Sequence, residues 1–126
     1  MLTSAYEFDV LTDRIIWCII RVHQVLGPGF LESVYRRALV IELQKQGLAT
    51  EVEHEVDVYY DGHEVGCHKL DLLVEKQVIL ELKTVECLNK AHYAQVRSYL
   101  RASGVRLALL VNFSGDRADF RRLENR

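Results

Sequence analysis

The sequence predicts an α/β layered domain, a central mixed β-sheet with helices on its faces. Two observations carry that prediction. Along the chain the hydrophobic period changes from the 3.6-residue stripe of a helix to the two-residue alternation of a strand and back again. The chain also has 126 residues, 49% of them hydrophobic and 27% charged, which is about one domain with a core that needs no staples. A single domain over residues 1–126 is therefore expected, and with 7 Gly and 1 Pro there is no room for a flexible linker.

From Asp9 to Leu26 the apolar residues Leu11, Ile15, Ile16, Ile19, Ile20, Val22 and Leu26 mark one face of a helix, stopped by Gly27-Pro28-Gly29. A second helix runs from about Leu31 to Gln46, with Gly47 beyond its end. The period then drops to two. Val52, Val56, Val58 and Tyr60 alternate with Glu53, Glu55, Asp57 and Asp61, giving a strand with one face inward. Asp61-Gly62 is a two-residue hairpin turn flanked by Tyr60 and His63. Val65 to Val74 returns, Glu75-Lys76-Gln77 turns again, and Val78 to Thr84 is too apolar for an edge strand. A third helix is expected from Lys90 to Ala102 before Gly104, then a strand from Val105 to Phe113 and a short final one around Asp119 to Leu123. The order is α-α-β-β-β-α-β with that last strand appended.

The net charge of −2 lacks the basic surplus that usually marks a nucleic-acid binder. Its distribution is uneven, however. Residues 1–68 hold 5 Lys+Arg and 11 Asp+Glu, and residues 69–126 hold 11 and 7. The second half is thus basic, a hint of an anionic partner. Cys18, Cys67 and Cys87 are odd in number and widely spaced, which suits free thiols in a reducing compartment. The first residues lack the regions of a secretory signal, and Arg21, His23 and Gln24 interrupt the longest apolar helix. A cytoplasmic protein without membrane contact is expected.

The chemistry concentrates in the third strand, Val78-Ile79-Leu80-Glu81-Leu82-Lys83-Thr84. Glu81 and Lys83 share one of its faces and Leu80 and Leu82 the other. Charges in so apolar a strand are costly unless paired or bound to something. If Glu75-Lys76-Gln77 is a three-residue turn, Val74 opposes Val78 and, counting back, Asp71 faces Glu81 at about 5 Å between Cβ atoms. Two such carboxylates repel each other, and Lys83 neutralises only one. A divalent cation removes the conflict, since Mg²⁺ is held by one or two carboxylates and keeps waters and phosphate oxygens as its other ligands. Spacing alone leaves an alternative open, a partly exposed ion cluster with no ligand.

The arrangement of Asp71, Glu81 and Lys83 resembles the core motif of the PD-(D/E)xK nuclease superfamily, which cuts phosphodiester bonds with Mg²⁺. Gly29-Phe30-Leu31-Glu32-Ser33-Val34-Tyr35 is similar to the signature of the GxxExxY family of short, RecB-like proteins, and Gln95 with Tyr99-Leu100 follows in the same order. The resemblance implies a restriction-endonuclease-like fold and a metal-dependent nuclease acting on nucleic acid, DNA ahead of RNA. It makes Glu32 the helix-borne acid, Asp71 and Glu81 the metal-binding carboxylates with the Leu82 carbonyl as a further ligand, and Lys83 the catalytic lysine. Tyr35, Gln95 and Tyr99 fall to the substrate side. Mg²⁺ is the implied cofactor, with Mn²⁺ as a substitute. Leu70 stands where the superfamily's name has Pro.

Two rival functions stay open: a non-catalytic module that keeps the fold and binds nucleic acid or protein, and an effector that needs a partner. A homodimer is compatible with either, because one small domain contacts little DNA. His23 is read as structural ahead of metal-binding, and the hairpin histidines as solvated. Arg97, Arg101 and Arg106 with Lys90 form either a phosphate-contacting strip or a solvated face.

Overall fold

The computed structural model describes residues 5–125. Two helices, α1 (Ala5–Leu26) and α2 (Glu32–Lys45), precede a three-strand meander, β1 (Thr50–Tyr60), β2 (His63–Val74) and β3 (Val78–Lys83). Helix α3 (Lys90–Ser103) then crosses over to β4 (Leu107–Asn112), and β5 (Asp119–Glu124) closes the sheet. The five strands lie in sequence order. Pairing is antiparallel throughout except between β3 and β4, where a parallel step demands a crossover helix. This is the expected element order, with the tail strand realised as β5.

The two faces of the sheet are covered by different helices. Val78, Leu80 and Leu82 of β3 and Leu107, Leu109 and Val111 of β4 join α1 and α2 in one core cluster, while Ile79, Ala108 and Leu110 join Val96, Tyr99 and Leu100 of α3 in another. All six residues of β4 are buried, as expected of a central strand covered on both sides.

The turns follow the sequence chemistry. Asp61 and Gly62 both take positive φ, 52° and 79°, the pattern of a tight two-residue hairpin between Tyr60 and His63. The Glu75-Lys76-Gln77 turn spans three residues, with the Gln77 amide donating to the Val74 carbonyl at 2.9 Å. Asn89 caps α3, its side chain accepting from the amides of Ala91 and His92, and His92 completes a reciprocal capping box. At the other end Gly104 takes φ 72° and its amide donates to Leu100, the left-handed cap that glycine adopts without Cβ strain.

Beyond the end of β3, Asn112 is a buried bridge. Its Oδ1 accepts from the Val85 amide at 3.1 Å and its Nδ2 donates to the Val85 carbonyl at 2.8 Å. Asn112→Ala would strand the Val85 amide and the Ser114 amide, which also donates to Asn112 Oδ1 at 3.3 Å, while the Val85 carbonyl keeps the Ser114 hydroxyl, so a loss of about 1–3 kcal/mol in urea unfolding is expected. A value within experimental error of wild type would show that water replaces the bridge.

Candidate active site

Glu81 lies on the α3 side of β3, and the register of that strand with β2 is the one expected. Val74 pairs with Val78, Leu73 with Ile79 and Leu72 with Leu80. The ladder stops there, so Asp71 and Glu81 are not a regular cross-strand pair. On the other side, β1 pairs with β2 through Val52↔Leu72 and His54↔Leu70, again skipping Asp71. Glu53, the residue of β1 across from it, takes φ 52°. Side chains of β2 also change face here: Leu70 packs on the α3 side, but Leu72 and Val74 pack toward α1 and α2. A plain register argument has no way to foresee this distortion, because it needs no inserted residue. Freed from the ladder, the Asp71 carboxylate accepts the Leu82 amide through Oδ2 at 2.8 Å.

Glu81 is 5% exposed. Its Oε2 lies 3.7 Å from Lys83 Nζ, whereas Oε1 is buried and has no hydrogen-bond partner among the described residues. Lys83 in turn donates to Gln95 Oε1 at 3.0 Å. Burial, then the charge of Asp71, push the Glu81 carboxyl up to about 8, with Lys83 offsetting only part. Asp71 is also raised by burial, against the opposing pull of the Leu82 amide, Arg36 and Lys83. Glu32, the first residue of α2, is raised by burial and then by Asp71. Tyr99 is pushed up to about 12 by burial, Glu81 and Asp71, and its ring lies 4.6 Å from that of His68. Glu32, Asp71, Glu81, Lys83, Gln95 and Tyr99 thus sense one another, drawn from α2, β2, β3 and α3.

Tyr35 does not join them. It is fully buried, stacked on Phe113 at 4.4 Å with the rings 7° apart. Its hydroxyl donates to the Gly27 carbonyl at 2.6 Å and accepts from the Phe30 amide at 3.2 Å. The tyrosine expected on the substrate side instead pins the turn at Gly27 and Gly29, whose φ values of 72° and 106° are glycine conformations. His23 supports the same corner: it is buried, its Nε2 lies 2.8 Å from the Gly115 carbonyl, and its ring stacks near Phe113.

Sequence reasoning passed over Arg36. It ion-pairs with Glu53 at 3.4 Å and draws down both Asp71 and Glu32. The one signal for it was its position one helical turn beyond Glu32. Arg106, left open between a phosphate strip and a solvated face, is exposed and stacks its guanidinium 4.1 Å over the Phe8 ring. Cys67 and Cys87 are free and exposed.

The donor set has consequences for metal binding. Among the described residues no cluster of three or more His, Cys, Asp or Glu side chains is arranged to hold an ion. Two carboxylates without imidazole or thiolate do not suit zinc, but they match a hard divalent cation that keeps several waters. The orphaned Glu81 Oε1 is an acceptor that such an ion would satisfy.

The PD-(D/E)XK nuclease superfamily model matches residues 9–123, nearly the whole chain. The chain belongs to the PD-(D/E)XK nuclease superfamily. Its layered sheet accords with that assignment, and its D…ExK residues sit where β2 parts from β3. Solved structures with the same fold include SSO0001 (TM-score 0.59, 19% identity, covering 74% of this chain and 49% of that one). Another is an alkaline exonuclease, LHK-Exo, from Laribacter hongkongensis (TM-score 0.50, 12% identity, 100% of this chain and 73% of that one). The same exonuclease in complex with dAMP gives 0.51, 12%, 91% and 83%. At these identities the likeness is one of fold, and this chain spans about half of SSO0001. No curated protein matches. No helix among the described residues is long and apolar enough to cross a membrane.

Proposed function

We propose that the chain is a divalent-metal-dependent nuclease that hydrolyses phosphodiester bonds of nucleic acid, DNA ahead of RNA. The observation that carries the proposal is the Asp71–Glu81 pair beside Lys83, with Glu81 buried and one of its oxygens left unpartnered. A carboxyl pair held this way is costly as bare charge, and membership of a nuclease superfamily supplies a reason to keep it. The LHK-Exo complex with dAMP makes a deoxynucleotide polymer the first substrate to try.

Asp71, Glu81 and the Leu82 carbonyl would hold Mg²⁺, or Mn²⁺ in its place. A bound divalent ion in such a site supplies an acidified water and charge neutralisation at phosphorus. The protein's own groups do the positioning. The Leu82 amide fixes Asp71, and Gln95 holds the Lys83 ammonium on the Glu81 side, where it would stabilise the negative charge that builds on the phosphate. Glu32, with its raised carboxyl, would hold or release a proton at the mouth of α2. Tyr99 would remain protonated and able to donate a hydrogen bond.

The test is cleavage of linear duplex, single-stranded and branched DNA and of RNA by purified protein with Mg²⁺ or Mn²⁺. Asp71→Asn and Lys83→Ala should each lower the rate at least about 100-fold. Equal turnover by wild type and both variants on every substrate would sink catalysis by this site.

A further inference from the structure

The outer face of α1 carries an apolar stripe that no part of the described chain covers. Trp17, the only tryptophan in the sequence, is 52% exposed, with Val10 at 42% and Ile20 at 39% on either side. Two shallow cavities run along this helix. One, of about 490 Å³, is bounded by Val10, Asp13, Arg14, Trp17 and Gln46, and the other, of about 580 Å³, begins at Ile20 and Gln24 and reaches Phe120. Such a stripe on a small domain marks an interaction surface.

The charges within the stripe indicate its occupant. At 100° per residue, Val10, Asp13, Arg14, Ile20, Arg21 and Gln24 all fall within about 60° of Trp17. Their order is self-complementary about Trp17: Asp13 lies four residues before it and Arg21 four residues after. Both are exposed, and neither has an ion-pair partner among the described residues. When a second copy of the helix packs antiparallel on a two-fold axis through Trp17, Asp13 of each copy comes level with Arg21 of the other. Arg14 then comes level with Ile20, and Val10 with Gln24. One two-fold axis therefore gives two equivalent ion pairs flanking a tryptophan pair, which is the isologous arrangement of a symmetric dimer. Arg14 lies on the same side of the contact as Arg21 of the other copy, one residue away along the axis, and its donation to the Gln46 carbonyl draws its guanidinium back toward the end of α2 and away from that like charge.

We infer that α1 is a homodimer interface, packed antiparallel about Trp17 and set in register by reciprocal Asp13–Arg21 pairs. The inference does not depend on nuclease activity, since none of the residues brought together around Glu81 lies on α1. The symmetric overlap covers residues 8–26, about 28 Å of helix. That is a small interface, so the dimer should be weak, with a Kd on the order of tens of micromolar.

The experiment is sedimentation equilibrium of the full chain over a concentration range spanning that value, with Trp17 fluorescence read in parallel. Wild type should dimerise with a blue shift of Trp17 emission. Asp13→Arg and Arg21→Asp should each weaken dimerisation roughly tenfold or more, because each places like charges opposite one another. An equimolar mixture of the two variants should recover the dimer, since one chain then carries a basic side chain at both positions and the other an acidic side chain at both. Rescue by mixing cannot arise from misfolding. A wild type that stays monomeric throughout would overturn the inference and assign the stripe to a different partner. So would two single variants that dimerise like wild type, or a mixture that fails to recover.

Discussion

Glu81→Gln should stabilise the metal-free protein at alkaline pH while abolishing its response to divalent ions. In the folded chain the Glu81 carboxyl is pushed up to about 8 by burial and by Asp71, from an ordinary 4.5. Between those values the folded state binds a proton that the unfolded chain has released. Stability from this group is therefore fully present below the unfolded value and is lost as pH rises through about 8. Asp71 and Glu32 are raised as well, so they steepen the loss and do not cancel it. Thermal unfolding of the metal-free wild type should lose on the order of 4 kcal/mol between about pH 5 and about pH 9.

Glutamine carries no titrating proton, and Glu81→Gln should flatten most of that slope. Mg²⁺ or Mn²⁺ should raise the wild-type Tm more at alkaline pH than at acid pH, because the cation replaces the missing proton as the counter-charge. The variant should show little of this gain and no cleavage. A wild-type Tm that is flat with pH and unmoved by either cation would mean that the Glu81 carboxyl is neither buried nor ligand-binding in solution.

Tyr35 variants should separate packing from substrate contact. Tyr35→Ala removes a fully buried ring from its stack on Phe113, and a loss of about 3–5 kcal/mol is expected. Tyr35→Phe keeps the ring but strands the Gly27 carbonyl and the Phe30 amide, for about 1–3 kcal/mol. Per folded molecule, Tyr35→Phe should retain nearly wild-type cleavage. A drop of about 100-fold at full folding would instead place the hydroxyl on the substrate.

Much of the local structure was legible in the sequence because it depends on short-range rules. Period and turn chemistry located every element to within a few residues: α2, expected over Leu31 to Gln46, runs from Glu32 to Lys45, and α1 begins four residues before the expected Asp9. The three-residue turn at Glu75 fixed the β2–β3 register correctly. Missing from that reading was the break in the ladder at Asp71, which coincides with the left-handed conformation of Glu53 across from it on β1. Neither residue carries a local signal for it, because Glu53 looks like any outward-facing strand glutamate.

The GxxExxY stretch shows the same division. The sequence placed Glu32 and Tyr35 three apart on one helix, where both could face a site. Tertiary packing separated them: Phe113, delivered just beyond the end of β4, takes the tyrosine ring into the core, while Glu32 at the first position of α2 stays within reach of Asp71. By itself, then, the sequence determined the layered α/β order, the turn lengths, the superfamily motif and which residue types carry the chemistry. Only the tertiary structure decided which of them meet, for a physical reason. Periodicity sets the face on which a side chain leaves its own element, but the elements that pack against that face set its burial, its partners and its charge.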